Sequence, residues 1–270
     1  MSYFYPAKEQ KGFRQVIPVG EKTAYTGFGL LKLAAGESYG AETKGEEVVL
    51  VLLAGKCHIT VNGQTFDNLS RKDVFAEKAT AVYVPINSRW EVAALSPNLE
   101  VAVLSAPAER QFAPFIIRPE DVIFNHRGVL NWQRDVYDIM VANVEGKVDR
   151  IVVGETYSFP GQWSSYPSHK HDTQNLPYEC QMDEIYYFKV KPTEGFGVQI
   201  MYNDDLSLRE AYMIKDGDAV ALPAGYHPVA AAPGFQVYYL WVMAGPHGRQ
   251  LTPNDDPKLK WLQNIPAMLK

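Results

Sequence analysis

SYPSHKHDTQNLPYECQMDEIYYF, residues 165–188, decides how the chain is read. It closes on Ile and aromatic residues that favour a pleated strand, and near its start two histidines stand one residue apart. Side chains alternate between faces on a strand, so His169 and His171 share a face, about 7 Å apart, and can serve one ion. Glu184 opens the next strand, and its carboxylate reaches the same space if the two strands lie side by side. His227, in PAGYH (223–227), offers a fourth donor from a third strand. Three nitrogens and one oxygen suit Zn, Mn, Fe or Ni. An H-x-H pair alone is more often a pair of surface or core histidines; the ordered set with Glu184, Pro223, Gly225 and His227 is what makes a ligand cluster the better reading.

Short runs rich in Val, Ile and aromatics extend in both directions: LVLLAGKCHITVNG (50–63), DVFAEKATAVYVPI (73–86), EVAALSP (91–97), EIYYFKV (184–190), GFGVQIMY (195–202), AVALPAGYHPVAAAPG (219–234) and QVYYLWVMAG (236–245). Breaks of Gly, Pro, Asn or Asp separate them, which predicts an all-β sandwich or barrel. The halves also repeat. Glu47 followed by VVLVLLAG parallels Glu184 followed by IYYFKVKP, and PINSR (85–89) parallels PAGYH (223–227). The expected organisation is an N-terminal β-barrel over 1–115, a connector over 116–145, a C-terminal metal-binding barrel over 146–250, and a tail over 251–270 with one short helix at 257–264. In the N-terminal half Tyr39 and Ala41 stand near the histidine positions and Arg89 stands where His227 does. That half is therefore expected to have lost its metal and to be structural, packing on the other barrel or building a homo-oligomer.

The net charge of −5 leaves no basic field for a phosphate backbone, which argues against nucleic-acid partners. No stretch approaches the roughly 18 apolar residues of a membrane span, and MSYFYPAKEQKGFR has no signal-peptide core, so a cytoplasmic protein is expected. Cys57 and Cys180 are read as free thiols, and His58, His126 and His247 as structural or exposed, because none has a neighbour at ligand spacing.

The H-x-H, Glu and P-x-G-x-H order resembles the motifs of the cupin superfamily, small β-barrels that hold a metal on three His and one Glu. The gap from His171 to Glu184 is longer than their common spacing. Several longer stretches are similar to one bicupin family, the 5-deoxy-glucuronate isomerases of inositol catabolism: NWQRDVYDI (131–139), WSSYPSHKHD (163–172), NLPYE (175–179), EIYYF (184–188), PAGYHPV (223–229) and YYLWVMAGP (238–246). The resemblance implies two tandem cupin-type barrels (a double-stranded β-helix each) and one divalent metal, Zn first, on His169, His171, Glu184 and His227. It also implies an aldose–ketose isomerisation of a sugar acid, 5-deoxy-glucuronate to 2-deoxy-5-keto-gluconate. A metal with open positions would chelate the carbonyl and adjacent hydroxyl oxygens, and a general base would move the carbon-bound proton.

The residues leave that base among Tyr178, Glu179 and Tyr186. Tyr186 shares a face with Glu184 by alternation, although such a Tyr is as often plain core. Lys170, Gln199, Arg209 and Trp241 are the candidate substrate contacts. Against each stands a bland reading: a solvated Lys170, a core Gln199 and Trp241, a surface Arg209. The family carries Arg directly after the Gln where this chain has Ile200, and Asn where it has Trp241. A related ketouronate as substrate, or a non-catalytic sugar-binding bicupin, therefore stays open.

Overall fold

A computed structural model describes residues 2–269, nearly all of them in strands, turns and loops. Helix among the described residues amounts to the four-residue Ile265–Met268 and three 3-10 turns. The tail segment expected as a helix at 257–264 is a 3-10 turn over Lys260–Asn264 that runs into Ile265–Met268. No helix is long and apolar enough to cross a membrane. Cys57 and Cys180 are both buried free thiols.

The chain divides into two compact units: Lys8–Ile123 with Asp138–Val153, and the first seven residues with Phe124–Tyr137 and everything from Gly154 onward. These boundaries follow tertiary pairing rather than composition. Phe4–Tyr5, too short to leave a pattern, pairs antiparallel with Ala219 and Val220, and the Ala7 N–H donates to Asp218 Oδ1 at 2.8 Å. The segment read as a connector, 116–145, is also used as strands. Phe115–Ile117 pairs with Ala81–Val84, and Ile123–Arg127 and Arg134–Met140 form one margin of a seven-stranded sheet.

The repeat seen in the sequence has a structural counterpart in strand order. In the N-terminal unit Glu46–Val61 lies between Ala81–Val84 and Leu99–Pro107, with Gly27–Leu33 next and Gly12–Ile17 beyond it. In the C-terminal unit Asp183–Lys191 lies between Ala219–Leu222 and Gln236–Ala244, with Val152–Ser158 next and Arg134–Met140 beyond it. Glu47 and Glu184 thus open equivalent central strands.

The second sheets differ in how they are reached. Glu46–Val61 is one continuous strand whose later half leaves the first sheet to pair with Gln64–Arg71 and Arg89–Ala94. It turns at a bulge between Leu52 and Ala54, where Gly55 has φ +99° and a Cβ would meet Leu99 Cα at 2.8 Å. In the C-terminal unit the corresponding path is broken after Lys191, and Gly197–Tyr202 continues it between Val229–Ala231 and Arg209–Ile214. Some expected strands are shorter or divided. Of 73–86 only Ala81–Val84 is extended, and 219–234 splits into Ala219–Leu222 and Val229–Ala231 around the turn that carries His227.

The N-terminal interior is filled with side chains. Leu50, Leu52, Ile59, Val82, Val92 and Val101 are fully enclosed, with Tyr39 and Ala41 packed against them and Tyr39 stacked on Phe13. Each such aliphatic contributes about 1.5–3 kcal/mol on burial. Arg89 is exposed. Glu47 is wholly buried, and four donors close it: the N–H groups of Asp149 (2.9 Å), Arg150 (2.6 Å) and Ile151 (2.7 Å), and the Tyr83 hydroxyl at 2.8 Å. Nothing of that carboxylate is left for an ion. Among the described residues the one cluster of potential metal donors lies in the other unit.

Glu47→Ala strands three buried N–H donors and a buried hydroxyl, and should cost on the order of 3–5 kcal/mol in a denaturant titration. A loss under about 1 kcal/mol would contradict the role assigned to this carboxylate.

Candidate metal centre

His169 sits on a two-residue strand, His169–Lys170, paired with Asn254–Asp255 from the tail. Cross-strand register sets Glu184 opposite Leu222 and Met243, at the interior end of the central strand. His227 hangs from the turn Pro223–Gly225. There Gly225 takes φ +84°, and a Cβ would meet Tyr202 O at 2.7 Å, so the glycine of P-x-G-x-H is a steric requirement.

These elements bring the three histidines together. Their rings lie 5.0 Å (His169–His227), 5.0 Å (His171–His227) and 6.3 Å (His169–His171) apart between centroids. One nitrogen from each lies within 4.8 Å of the others, close enough for small ring movements to bring them to the ~3.4 Å that two metal–nitrogen bonds span at a tetrahedral angle. Glu184 Oε2 stands 3.3 Å from both His171 Nε2 and His227 Nε2. His171 and His227 are buried, and His169 is half-buried.

Hydrogen bonds on the far side of two rings set their tautomers. His171 Nδ1 donates to Met182 O at 2.8 Å, and His227 Nδ1 donates to Gly225 O at 2.9 Å. With the proton on Nδ1, each Nε2 presents a lone pair to the centre. His227 Nε2 is buried with no hydrogen-bond partner, since its approach to Glu184 lacks the hydrogen-bonding direction. An orphaned buried lone pair beside a carboxylate and two further imidazoles is a site that a cation completes. The donor set fits a divalent ion, and the three histidines can hold one.

The electrostatics agree. Burial works against an ionised Glu184, yet its hydrogen bond to His171 and the close approach of His227 prevail and hold its pKa at about 2. Burial, reinforced by its two histidine neighbours, keeps the His169 pKa well below the ordinary value, so that ring is neutral. Burial also opposes the charged ring of His171, but the Glu184 bond and charge outweigh it and raise that pKa above 6.5.

Behind the cluster lies an aromatic wall. Tyr186, expected on the Glu184 face, is buried there with its ring 6.0 Å from that of His227 and 4.5 Å from that of Tyr239. Ser165 Oγ bridges the hydroxyls of Tyr186 (3.1 Å) and Tyr239 (3.2 Å). Trp241 is the register partner of Tyr186 on the same face, lies against Gly154, and donates its indole N–H to Thr156 Oγ1 at 3.2 Å. Gln199 is fully buried. Its Nε2 donates to His227 O at 3.0 Å and Ile200 O at 2.9 Å, while its Oε1 has no partner.

Three expected site residues serve otherwise than the sequence reading had them. Lys170 Nζ is spent on Asp172 Oδ1 (2.6 Å) and Glu179 Oε1 (3.1 Å), on the side of the strand away from the histidines. Glu179 is buried and bonded through both oxygens: Oε1 also accepts from the Asp172 and Thr173 N–H groups at 2.8 Å, and Oε2 accepts from Asn254 Nδ2 at 3.1 Å. With Oε1 filled and Oε2 tied to Asn254, the carboxylate is held as a structural acceptor. Arg209 is exposed at the start of Arg209–Ile214, opposite Tyr202.

Lys170, Asp172 and Glu179 instead form a scaffold. Asp172 Oδ2 accepts from the Gly225 N–H at 2.7 Å, tying the loop after His171 to the turn that carries His227. The sequence reading missed Asp172, Ser165 and Arg134 as parts of the centre. The first two lie inside the quoted 165–188 stretch and Arg134 inside NWQRDVYDI, so the motifs held the signal. Of the three remaining histidines, His58 pairs with Asp67 and His126 with Asp135.

A model of the KduI/IolB family matches residues 3–262. The chain belongs to that family. Members similar to it include the 5-deoxy-glucuronate isomerase of Geobacillus kaustophilus (strain HTA426), 40% identical over 94% of this chain and 91% of that protein. That of Bacillus subtilis (strain 168) is 38% identical over 88% of each. Among solved structures, an IolB-like protein from Salmonella typhimurium LT2 matches with a TM-score of 0.92 and 33% identity, over 97% of this chain and 100% of that one. A Lactobacillus farciminis oxalate decarboxylase shares the fold at a TM-score of 0.68 and 13% identity, over 98% and 89%. This KduI/IolB chain has the bicupin fold.

His169→Ala and His227→Ala should each lower bound divalent metal, measured by elemental analysis after dialysis, from one per chain to near none. Asp172→Asn keeps every donor but frees the turn, and should weaken metal affinity about 10- to 100-fold. His171 releases its proton only above 6.5. Metal affinity in a competition titration should therefore climb as pH rises through that region, and climb less steeply in Glu184→Gln.

Proposed function

We propose that this chain is a metal-dependent aldose–ketose isomerase that interconverts 5-deoxy-glucuronate and 2-deoxy-5-keto-gluconate. The observation that carries the proposal is its 40% identity, over 94% of its length, to a protein named 5-deoxy-glucuronate isomerase. The geometry supports the same chemistry. His169, His171, Glu184 and His227 would hold one divalent ion, for which Zn is our choice given three imidazoles and a carboxylate. That ion would supply Lewis-acid polarisation of a carbonyl and its neighbouring hydroxyl, which acidifies the carbon-bound proton between them.

The residues around the ion have separate tasks. The Nδ1 bonds to Met182 O and Gly225 O fix the direction of the imidazoles, so that each turns its Nε2 toward the centre. Burial and the nearby Glu184 charge push the Tyr186 pKa well above 10, so its hydroxyl stays protonated at neutral pH. Tyr186 then acts as a donor, giving a hydrogen bond or proton to a substrate oxygen as charge builds there, and Ser165 aims it. Tyr239, Phe188 and Trp241 keep water from that oxygen's surroundings. Of the two departures noted in the sequence, Ile200 alternates with the buried Gln199 and faces away from the interior, while Trp241 forms part of its wall.

Purified protein incubated with 5-deoxy-glucuronate should exchange aldehyde for ketone signals in an NMR time course, and a chelator should stop the exchange. A metal-loaded protein that leaves the sugar unchanged would overturn the assigned reaction. Tyr186→Phe should lower kcat about 100- to 10,000-fold while metal content stays at one per chain.

A further inference from the structure

Lys170 and Arg209 were the cations expected near a sugar acid, and neither reaches the cluster free-handed. A third cation does. Arg134 opens the strand Arg134–Met140 and is half-buried. Its Nη1 donates to Tyr166 O at 2.9 Å and Trp132 O at 3.2 Å. Tyr166 follows Ser165, whose hydroxyl holds Tyr186 and Tyr239, so the guanidinium is anchored to the segment that shapes the aromatic wall.

The anchoring uses one end of the group only. Nη1 is one of the two terminal nitrogens; Nε and Nη2 together form the side-on fork that matches the two oxygens of a carboxylate. Among the described residues Arg134 makes no hydrogen bond through that fork and no ion pair. Its charge nonetheless reaches the centre: it bears on His169, Tyr186 and Tyr239. Asp255, the register partner of His169, feels the charge but bonds Gln263 instead. Guanidinium groups removed from bulk water are normally paired with an acid, because an unpaired one carries the full cost of its lost hydration. A rigid, half-buried guanidinium with its carboxylate-shaped edge unused beside a sugar-isomerase centre is therefore arranged for an anion that arrives with the substrate.

We propose that Arg134 is the specificity residue for the acid group: its Nε and Nη2 receive the uronate carboxylate while the carbonyl end of the sugar lies at the His169–His171–His227 cluster. This rests on the function proposed above. It accounts for selection of a uronate over a neutral sugar, since an uncharged analogue leaves the guanidinium unpaired.

The test separates the two claims. Binding of D-glucuronate and of uncharged D-glucuronamide to the zinc-loaded protein is measured by calorimetry for the wild type, R134Q and R134K, alongside turnover of 5-deoxy-glucuronate. The wild type should prefer the acid. R134Q should lose about 10- to 100-fold in glucuronate affinity and raise KM for 5-deoxy-glucuronate to match, a larger effect than any on kcat, with metal content and glucuronamide affinity nearly unchanged. R134K, which keeps the charge without the fork, should fall between and decides the matter if R134Q does not fold. Equal wild-type affinity for acid and amide, or an equal loss of both in either variant, would overturn the assignment. Failure of the wild type to convert 5-deoxy-glucuronate would count against the isomerase reading alone, because the acid–amide comparison does not depend on turnover.

Discussion

Two hydrogen bonds to the backbone, His171 Nδ1 to Met182 O and His227 Nδ1 to Gly225 O, govern what the interior of the C-terminal unit can do. They place the ring protons on the outer side and leave bare lone pairs converging on Glu184. Without them the rings are free to turn Nδ1 instead of Nε2 toward Glu184, and the three donors lose their common focus. With them, His227 Nε2 is left buried and unpartnered, a cost that only makes sense when a cation is present. The rest of the local structure serves that constraint: the Gly225 turn, the Asp172 tie to its N–H, and the Lys170–Glu179 scaffold beneath.

The two units give the same residue opposite fates. Glu47 and Glu184 open equivalent strands in sheets of equivalent order. Around Glu47, three backbone N–H groups and the Tyr83 hydroxyl close the carboxylate, and apolar side chains occupy the space that histidines fill elsewhere. Around Glu184 the partners are imidazoles whose lone pairs remain available. One carboxylate has become a structural staple and the other stays a ligand candidate. The difference lies in whether its partners are donors or acceptors.

Much of this was legible in the sequence, for physical reasons that can be named. Alternation puts Glu184 and Tyr186 on one face, and H-x-H puts two rings together, because both depend only on strand period. The duplicated Glu and Pro-turn pattern is likewise local. Lys170 and Glu179 were misjudged because their role depends on contacts made across a loop: Glu179 folds back to accept from residues 172 and 173 and from Asn254 in the tail. Arg134 was hidden in a segment with no clear period, which becomes a strand by pairing with Val152–Ser158 on one side and Ile123–Arg127 on the other. The first residues join the C-terminal unit through a two-residue strand, too short for any pattern to register.

The central claim is that one ion is held by His169, His171, Glu184 and His227. The most direct measurement is anomalous diffraction from crystals of the zinc-loaded protein, collected on either side of the zinc absorption edge. The account predicts a single strong anomalous peak per chain, bonded to one nitrogen of each histidine and to a Glu184 oxygen at about 2.0–2.2 Å. A peak elsewhere in the chain, or none with His227 Nε2 hydrogen-bonded to a water instead, would contradict it.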